Sequence, residues 1–288
     1  MKSFIGVDWG SSNCRAYLFE NETVVDQIES GQGILNVEDF PRTIEDLLEK
    51  WPNVPVLFSG MVGSSIGWVE ASYQRLPLSY SQILSSLMDI KSYWNREAYI
   101  LGGLDCVPNT LAYNVMRGEE LQLLGLQRQV QHESIIVLVG THSKHVHVNH
   151  QEIFSFQTFL TGELFSLLQK HSIFAGPLEE DQKDFLSGVQ KSKDGTLLSN
   201  LFFSRSLSLS RTISYPRAFL SGLLIGTELR AIPSEYVSNT ILVGSATLLP
   251  LYKICFEYLY ESTPQCFVSD QCNINGYVEF AKYLRWIS

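Results

Sequence analysis

Apolar residues run Phe4-Ile5-Gly6-Val7 and stop at Asp8. A small polar turn, Gly10-Ser11-Ser12-Asn13, follows, and alternation resumes with Cys14, Ala16 and Leu18 on one face. An apolar run, a glycine-bearing turn and then an alternating run predict a β-hairpin. Residues 22–28 suit a third strand. Phe40, Ile44, Leu47 and Leu48 recur at helical spacing and predict a helix over about 39–51, with Pro41 in its first turn. Val54 to Phe58 reads as a short buried strand, and the loop Ser59-Gly60-Met61-Val62-Gly63-Ser64 follows it.

The same plan returns in the middle of the chain. Ile135 to Val139 is apolar, Gly140-Thr141-His142-Ser143 is a polar turn, and Lys144 to Val148 alternates. Setting Gly10-Ser11-Ser12-Asn13 beside Gly140-Thr141-His142-Ser143 gives a weak internal repeat of strand–turn–strand, one copy per domain. Between the copies, residues 114–126 read as a helix with Glu119 and Glu120 near its start. Further helices are predicted near 161–170, at 219–229 and over about 275–287; a strand and turn are predicted over Thr240 to Thr247, running into a helix from Leu248 to Tyr260. The charged, serine-rich stretch 179–214 is left without an assignment. Mixed α/β elements in two halves predict two α/β domains, 1–113 and 114–288, with a cleft between them.

Composition narrows the classes. The chain has 288 residues, 45% of them hydrophobic and 18% charged, which fits a globular protein of one large or two moderate domains. A net charge of −9 disfavours nucleic acid as a partner. It does not disfavour a nucleotide, which is held by backbone N–H groups, a metal and one or two cations. The five cysteines include no C-x-x-C pair and read as reduced thiols of a cytoplasmic protein. No apolar run is long enough to span a membrane, and Met1 to Gly10 does not read as a secretion signal.

Phosphoryl transfer needs a phosphate cradle, a metal, a positioned nucleophile and a base. Gly10 and Gly140 permit close backbone approach, and Ser11, Ser12, Asn13, Thr141, His142 and Ser143 supply amides and hydroxyls. Asp8, at a strand end, suits Mg2+. Glu119 and Glu120 are the candidate bases for an alcohol nucleophile; complementing the helix dipole is the alternative for both. Lys144 and Arg117 suit a phosphate or a substrate carboxylate. Gly244-Ser245, after an apolar strand, is a candidate adenosine contact. His142, His145, His147 and His150 lack a carboxylate or cysteine to complete a metal set, so a polar strand face is the reading preferred. Trp9, Trp68 and Tyr73 wall a sugar site or pack in the core. No P-loop and no dinucleotide-binding glycine motif is present.

Six segments then match, in order, the pattern of one family. Asp8-Trp9-Gly10-Ser11-Ser12-Asn13 with Arg15-Ala16-Tyr17 is similar to the first phosphate loop of the 2-dehydro-3-deoxygalactonokinases. Gly60-Met61-Val62-Gly63-Ser64 with Gly67-Trp68-Val69-Glu70 and Tyr73 resembles the next motif, and Asn114 to Glu120 a third. Gly140 to Lys144, Thr161-Gly162-Glu163-Leu164 and Phe219 to Gly226 resemble the remaining three. The resemblance implies two actin-like (ribonuclease H-like) domains of the actin/hexokinase-like superfamily. It implies an interdomain ATP site with Mg2+, and γ-phosphate transfer to the C6 hydroxyl of 2-dehydro-3-deoxy-D-galactonate in galactonate catabolism. Met61, Val62, Gly63, Trp68 and Tyr73 would then shape the sugar pocket, and Arg75 or Arg117 would hold the carboxylate. ATP and the sugar acid are the expected partners, with a homodimer as the candidate assembly. Cys14, His145 and Ser72 stand where the family's pattern has leucine, tryptophan and proline, and Asp105 is an added acid. Two rivals remain: a kinase of another sugar or sugar acid, and a non-catalytic nucleotide-binding module.

Overall fold

The structure, a computed structural model, describes residues 2–107, 112–174 and 181–288. Its contacts divide the chain into two compact units. The first comprises Met1–Gln131, Asn149–Ser155 and Asp270–Ser288, the second His132–Val148 and Phe156–Ser269.

In chain order the first unit contains β1 (Ser3–Trp9), β2 (Cys14–Glu20), β3 (Thr23–Ser30), α1 (Phe40–Leu47), β4 (Val56–Ser59), β5 (Gln74–Arg75) and β6 (Leu78–Ser79). It continues through α2 (Tyr80–Leu84), β7 (Leu87–Asp89), β8 (Ala98–Leu101), β9 (Leu104–Cys106), β10 (Asn114–Met116) and α3 (Glu119–Leu126). The main sheet has the order β3-β2-β1-β4-β8-β7. The first three strands are antiparallel, while β4 and β8 run parallel to β1. β1 and β4 carry apolar side chains on both faces, as central strands covered on both sides must. One face packs Val7, Trp9, Phe58 and Ile100 with Ile44 of α1.

The second unit holds β11 (Ser134–Leu138), β12 (Ser143–Val148), β13 (Glu152–Phe159), α4 (Thr161–His171), α5 (Gln182–Lys191), α6 (Leu197–Leu209), α7 (Pro216–Leu229), β14 (Thr240–Gly244), α8 (Leu249–Tyr260) and β15 (Gln265–Val268). Its strands are ordered β15-β14-β11-β12-β13, with β14 parallel to β11 and β12 antiparallel to it. The start of β13 lies in the first unit, where Glu152 and Ile153 pair with Ser79 and Leu78. β8-β4-β1-β2-β3 and β15-β14-β11-β12-β13 are one topology drawn twice. The repeat legible in the two hairpins therefore extends over five strands. A last helix, α9 (Ser269–Tyr283), returns the chain to the first unit. There Gly6 makes room for the ring of Tyr277: a Cβ on Gly6 would lie 2.7 Å from it.

Several boundaries differ from the sequence reading. Residues 114–126 are not one helix: Asn114–Met116 is β10 and the helix starts at Glu119, because Gly118 turns the chain at φ 107°, outside any helix. α1 ends at Leu47, ahead of Pro52, and α9 begins at Ser269 and not near 275. The stretch 179–214 forms α5 and α6 in its described part, with 179 and 180 outside the described residues. The contacts also do not divide at 113/114. β10 pairs with β9, and Gly125 of α3 lies so close to Cys272 of α9 that a Cβ would stand 2.0 Å from its carbonyl oxygen. Residues 114–131 and 270–288 therefore join the first unit. Among the described residues, no helix is long and apolar enough to cross a membrane.

Candidate active site

β1 and β4 end level with each other, Asp8 beside Ser59, at the carboxyl edge where open α/β sheets bind ligands. Asp8 is half-buried, and its carboxylate receives no hydrogen bond from the described residues. Burial pushes it up to about 6, Arg15 opposing and Glu119 and Asp270 adding to the rise. The next residue after Ser59 is Gly60, at φ 87°, and here glycine is required. A Cβ would stand 2.9 Å from the Trp9 carbonyl oxygen and 3.0 Å from Asp8 Oδ1. Gly118 packs on the other side, its Cβ position 3.3 Å from Gly60 Cα. Close backbone approach at two glycines thus brings the start of α3 to the end of β1.

The two glutamates of α3 differ. Glu120 is fully buried, and both its carboxylate oxygens accept the Gly118 N–H at 2.8 Å. Burial, with Glu119 adding, pushes it up to about 8. Glu119 is half-buried and accepts the Arg117 N–H at 3.1 Å.

The first turn is braced from behind. Gly10, Ser11 and Ser12 carbonyls accept the N–H groups of Ile34, Leu35 and Gly33, so the chain at Gly33 runs against it. Among the described residues, the N–H groups of Ser11 and Ser12 donate no hydrogen bond. With its carbonyls turned to Gly33, Ile34 and Leu35 and these two amides without an acceptor among the described residues, the turn can receive an anion.

The second turn repeats this. Glu163 N–H donates to the Thr141 carbonyl, the α4 start lies so close that a Cβ on Gly162 would be 2.6 Å from the Gly140 oxygen, and the Thr141 and His142 N–H groups donate no hydrogen bond among the described residues. His142 Nε2 lies 2.5 Å from Glu163 Oε2. Lys144 is buried, its Nζ donating to the His142 carbonyl at 2.9 Å. Ser143 is fully buried beneath the turn.

Beside Gly140 opens a cavity of about 530 Å³, walled by α4, α5, α7 and α8, with Phe165, Leu224, Ile225 and Leu251 as apolar lining and Arg217 and Ser221 as polar groups. The sequence reading did not locate it. Its signals were Thr161-Gly162 and Phe219 to Gly226, quoted as family motifs without a site role. Gly222 lets α7 approach α5, since a Cβ there would be 1.9 Å from the Phe185 oxygen. Gly244 and Ser245 do not line this cavity; the following Thr247 and Leu248 do. Ser245 Oγ instead accepts the Leu248 N–H at 3.3 Å.

The remaining candidates separate by their partners. Arg75 is bound by Asp105, through Nε to Oδ1 and through Nη2 to Oδ2 at 3.0 Å, and Tyr113 donates to the same carboxylate at 2.9 Å. Arg117 is 9% exposed, stacks on the Tyr73 ring at 4.4 Å and donates Nη2 to the Ala71 carbonyl at 2.7 Å; its Nε and Nη1 have no partner among the described residues. Gly63 faces that guanidinium, its Cβ position 3.0 Å from Nη1. Val62 is fully buried in the core, and Trp68, half-buried, packs against that core among Phe40, Phe58 and Trp94. Trp9 is core as well. His145 contacts Glu228 and His147 contacts Glu133; among the described residues no cluster of three metal-ligating side chains forms.

Two sheets of one topology, each opening on a turn with free amides, define the actin/hexokinase-like class of ATPase folds. Residues 8–280 match the 2-keto-3-deoxy-galactonokinase family, and the chain belongs to it: a phosphotransferase with an alcohol group as acceptor. It is 34% identical to the 2-dehydro-3-deoxygalactonokinase of Escherichia coli K12, over 88% of this chain and 89% of that one. A solved structure from Sinorhizobium meliloti, provisionally named for the same activity, superposes with a TM-score of 0.89 at 29% identity, covering 98% of this chain and 99% of that one. The activator of a 2-hydroxyisocaproyl-CoA dehydratase from Clostridium difficile shares the fold alone, with a TM-score of 0.50 at 12% identity over 99% and 98% of the two chains.

Proposed function

We propose that the chain transfers the γ-phosphate of Mg-ATP to the C6 hydroxyl of 2-dehydro-3-deoxy-D-galactonate. The observation that carries this reading is the meeting of Asp8 and Glu119 around Gly60, beside a turn with free amides. The two turns hold phosphates. Asp8 fits Mg2+: it is a hard oxygen donor that water reaches, it lacks a hydrogen-bond partner, and burial penalises its charge until a cation balances it. The metal would neutralise charge on the phosphates. Glu119, the more accessible glutamate, orients the sugar hydroxyl and takes its proton as the O6–Pγ bond forms and ADP leaves. Glu120 holds Gly118 and so the start of α3. The apolar cavity beside Gly140 takes the adenosine.

Arg75 is committed to Asp105, so the carboxylate of the sugar acid falls to Arg117, whose Nε and Nη1 lack partners. Tyr73 covers that guanidinium, so admitting the carboxylate requires this ring to turn aside. Arg117→Met is expected to raise KM for the sugar acid by about 10–100-fold, a charged hydrogen-bond pair's worth, with KM for ATP unchanged. An unchanged sugar-acid KM refutes the assignment.

The whole reading is tested by ADP release from purified protein with Mg-ATP, with and without 2-dehydro-3-deoxy-D-galactonate. Release that depends on the sugar acid supports it; ATP binding without release leaves the family assignment and removes this substrate.

A further inference from the structure

The second unit buries a carboxylate that none of these roles uses. Glu228 of α7 is 2% exposed and lies outside the cavity lining. An isolated buried carboxylate is costly to the fold, and this one is fully engaged: Tyr252 Oη donates to Oε2 at 2.8 Å, and His145 Nε2 stands 3.3 Å from Oε1. Tyr252, on α8, is itself 2% exposed, and its ring forms part of the cavity wall. Its hydroxyl lies 3.2 Å from Ser143 Oγ, and Ser143 Oγ lies 3.5 Å from both the N and the O of Gly140.

The chemistry of the groups sets the direction of this chain. A carboxylate only accepts, so the Tyr252 proton points to Glu228. The Tyr252 oxygen then receives the Ser143 proton, and Ser143 Oγ keeps a lone pair for the Gly140 N–H. Burial and the neighbouring Glu228 hold the Tyr252 phenol well above its usual range, so it remains a donor. Remove the carboxylate or the phenol, and the Ser143 proton is free to swing to the Gly140 carbonyl at the same 3.5 Å. That rotation turns the Ser143 lone pairs relative to the Gly140 N–H and weakens the contact at 3.5 Å.

We infer that Glu228 is a positioning residue for the second phosphate turn, acting through Tyr252 to fix the Ser143 hydroxyl and so the conformation of Gly140 to Ser143. The inference rests on the reading that this turn holds phosphate. It places Ser143 under the turn as a brace. It also makes Tyr252 the link between the nucleoside cavity and the phosphates: one face of the residue meets the cavity, and its hydroxyl governs the turn.

The test compares calorimetric binding of ADP and of adenosine to the full chain and its variants. Ser143→Ala and Tyr252→Phe, each the loss of one oxygen, are expected to weaken ADP by about tenfold and leave adenosine within about twofold. Glu228→Leu matches Tyr252→Phe, and combining the two adds no further loss, because both act through one hydroxyl. Glu228→Gln keeps an acceptor for Tyr252 and is expected to restore ADP affinity to within about threefold of the parent. Wild-type ADP affinity in Ser143→Ala, or equal loss of ADP and adenosine in Tyr252→Phe, overturns the inference and leaves a packing role. If the parent chain binds ADP no better than adenosine, the phosphate reading of the turn fails and the inference goes with it. Should Glu228→Leu not fold, the Ser143 and Tyr252 variants decide.

Discussion

Asp8→Asn is expected to lower kcat by about 10³-fold or more while raising the melting temperature of the metal-free protein at pH 7.5. The first effect follows from the metal: loss of its ligand removes several kcal/mol of charge stabilisation in the transition state, at about tenfold per 1.4 kcal/mol. The second follows from the carboxyl being held at about 6 in the fold, above its ordinary 3.8. The fold favours the protonated acid. That stabilisation is complete below about 3.8 and is lost as pH rises through about 6, so at pH 7.5 the ionised Asp8 costs the metal-free fold roughly 2–3 kcal/mol. Asparagine carries no such charge. The advantage should therefore disappear near pH 3.5, and Mg-ATP should stabilise the parent more than the variant. Turnover near the parent level in Asp8→Asn sinks the metal assignment. An unchanged metal-free melting temperature at pH 7.5 sinks the electrostatic account.

The second large effect separates the two glutamates. Glu119→Gln is expected to reduce kcat by about 10²–10⁴-fold, the range of a positioned general base, with KM for ATP and thermal stability little changed. Glu120→Gln should keep turnover within about tenfold. Burial holds that carboxyl at about 8, so near neutral pH it is largely protonated and a carboxamide is close to it in shape and charge. Its amide oxygen still accepts from Gly118. Glu120→Leu, by contrast, leaves the Gly118 N–H without an acceptor and should lower stability by about 1–3 kcal/mol. Steady-state kinetics and thermal melts of the three variants distinguish the roles. A larger kcat loss in Glu120→Gln than in Glu119→Gln reverses the assignment.

Much of the fold was legible because it is written in short-range pattern. In the hairpins at 3–20 and 134–148 an apolar run breaks at a glycine-bearing turn and an alternating strand follows, and this local chemistry is enough to place both turns. The end of β1 is legible to within one residue: the apolar run breaks at Asp8, but the strand pairs on through Trp9, opposite Cys14. What misled the reading was context. Residues 114–126 carry helical spacing, yet β9 pairs with Asn114–Met116, and a positive φ at Gly118 divides the segment. Helical periodicity counts apolar positions; it does not see a strand partner waiting elsewhere in the chain.

The sequence by itself thus determined the repeated strand–turn–strand unit and both turns, and it singled out Asp8, Glu119 and Glu120 as candidates, since each reading depends on residues a few positions apart. Tertiary structure alone distinguishes the surroundings of the members of each pair. Arg75 and Arg117 are equal as sequence, but Asp105 neutralises one and Tyr73 merely stacks on the other. Glu119 and Glu120 are adjacent, but one turn of backbone at Gly118 buries the second. The cavity beside Gly140 is assembled from four helices, and Glu228 meets Ser143 through Tyr252, across 85 positions of chain from Ser143. Charge neutralisation, burial and enclosure are properties of neighbours in space, and neighbours far apart in sequence leave no local pattern to read.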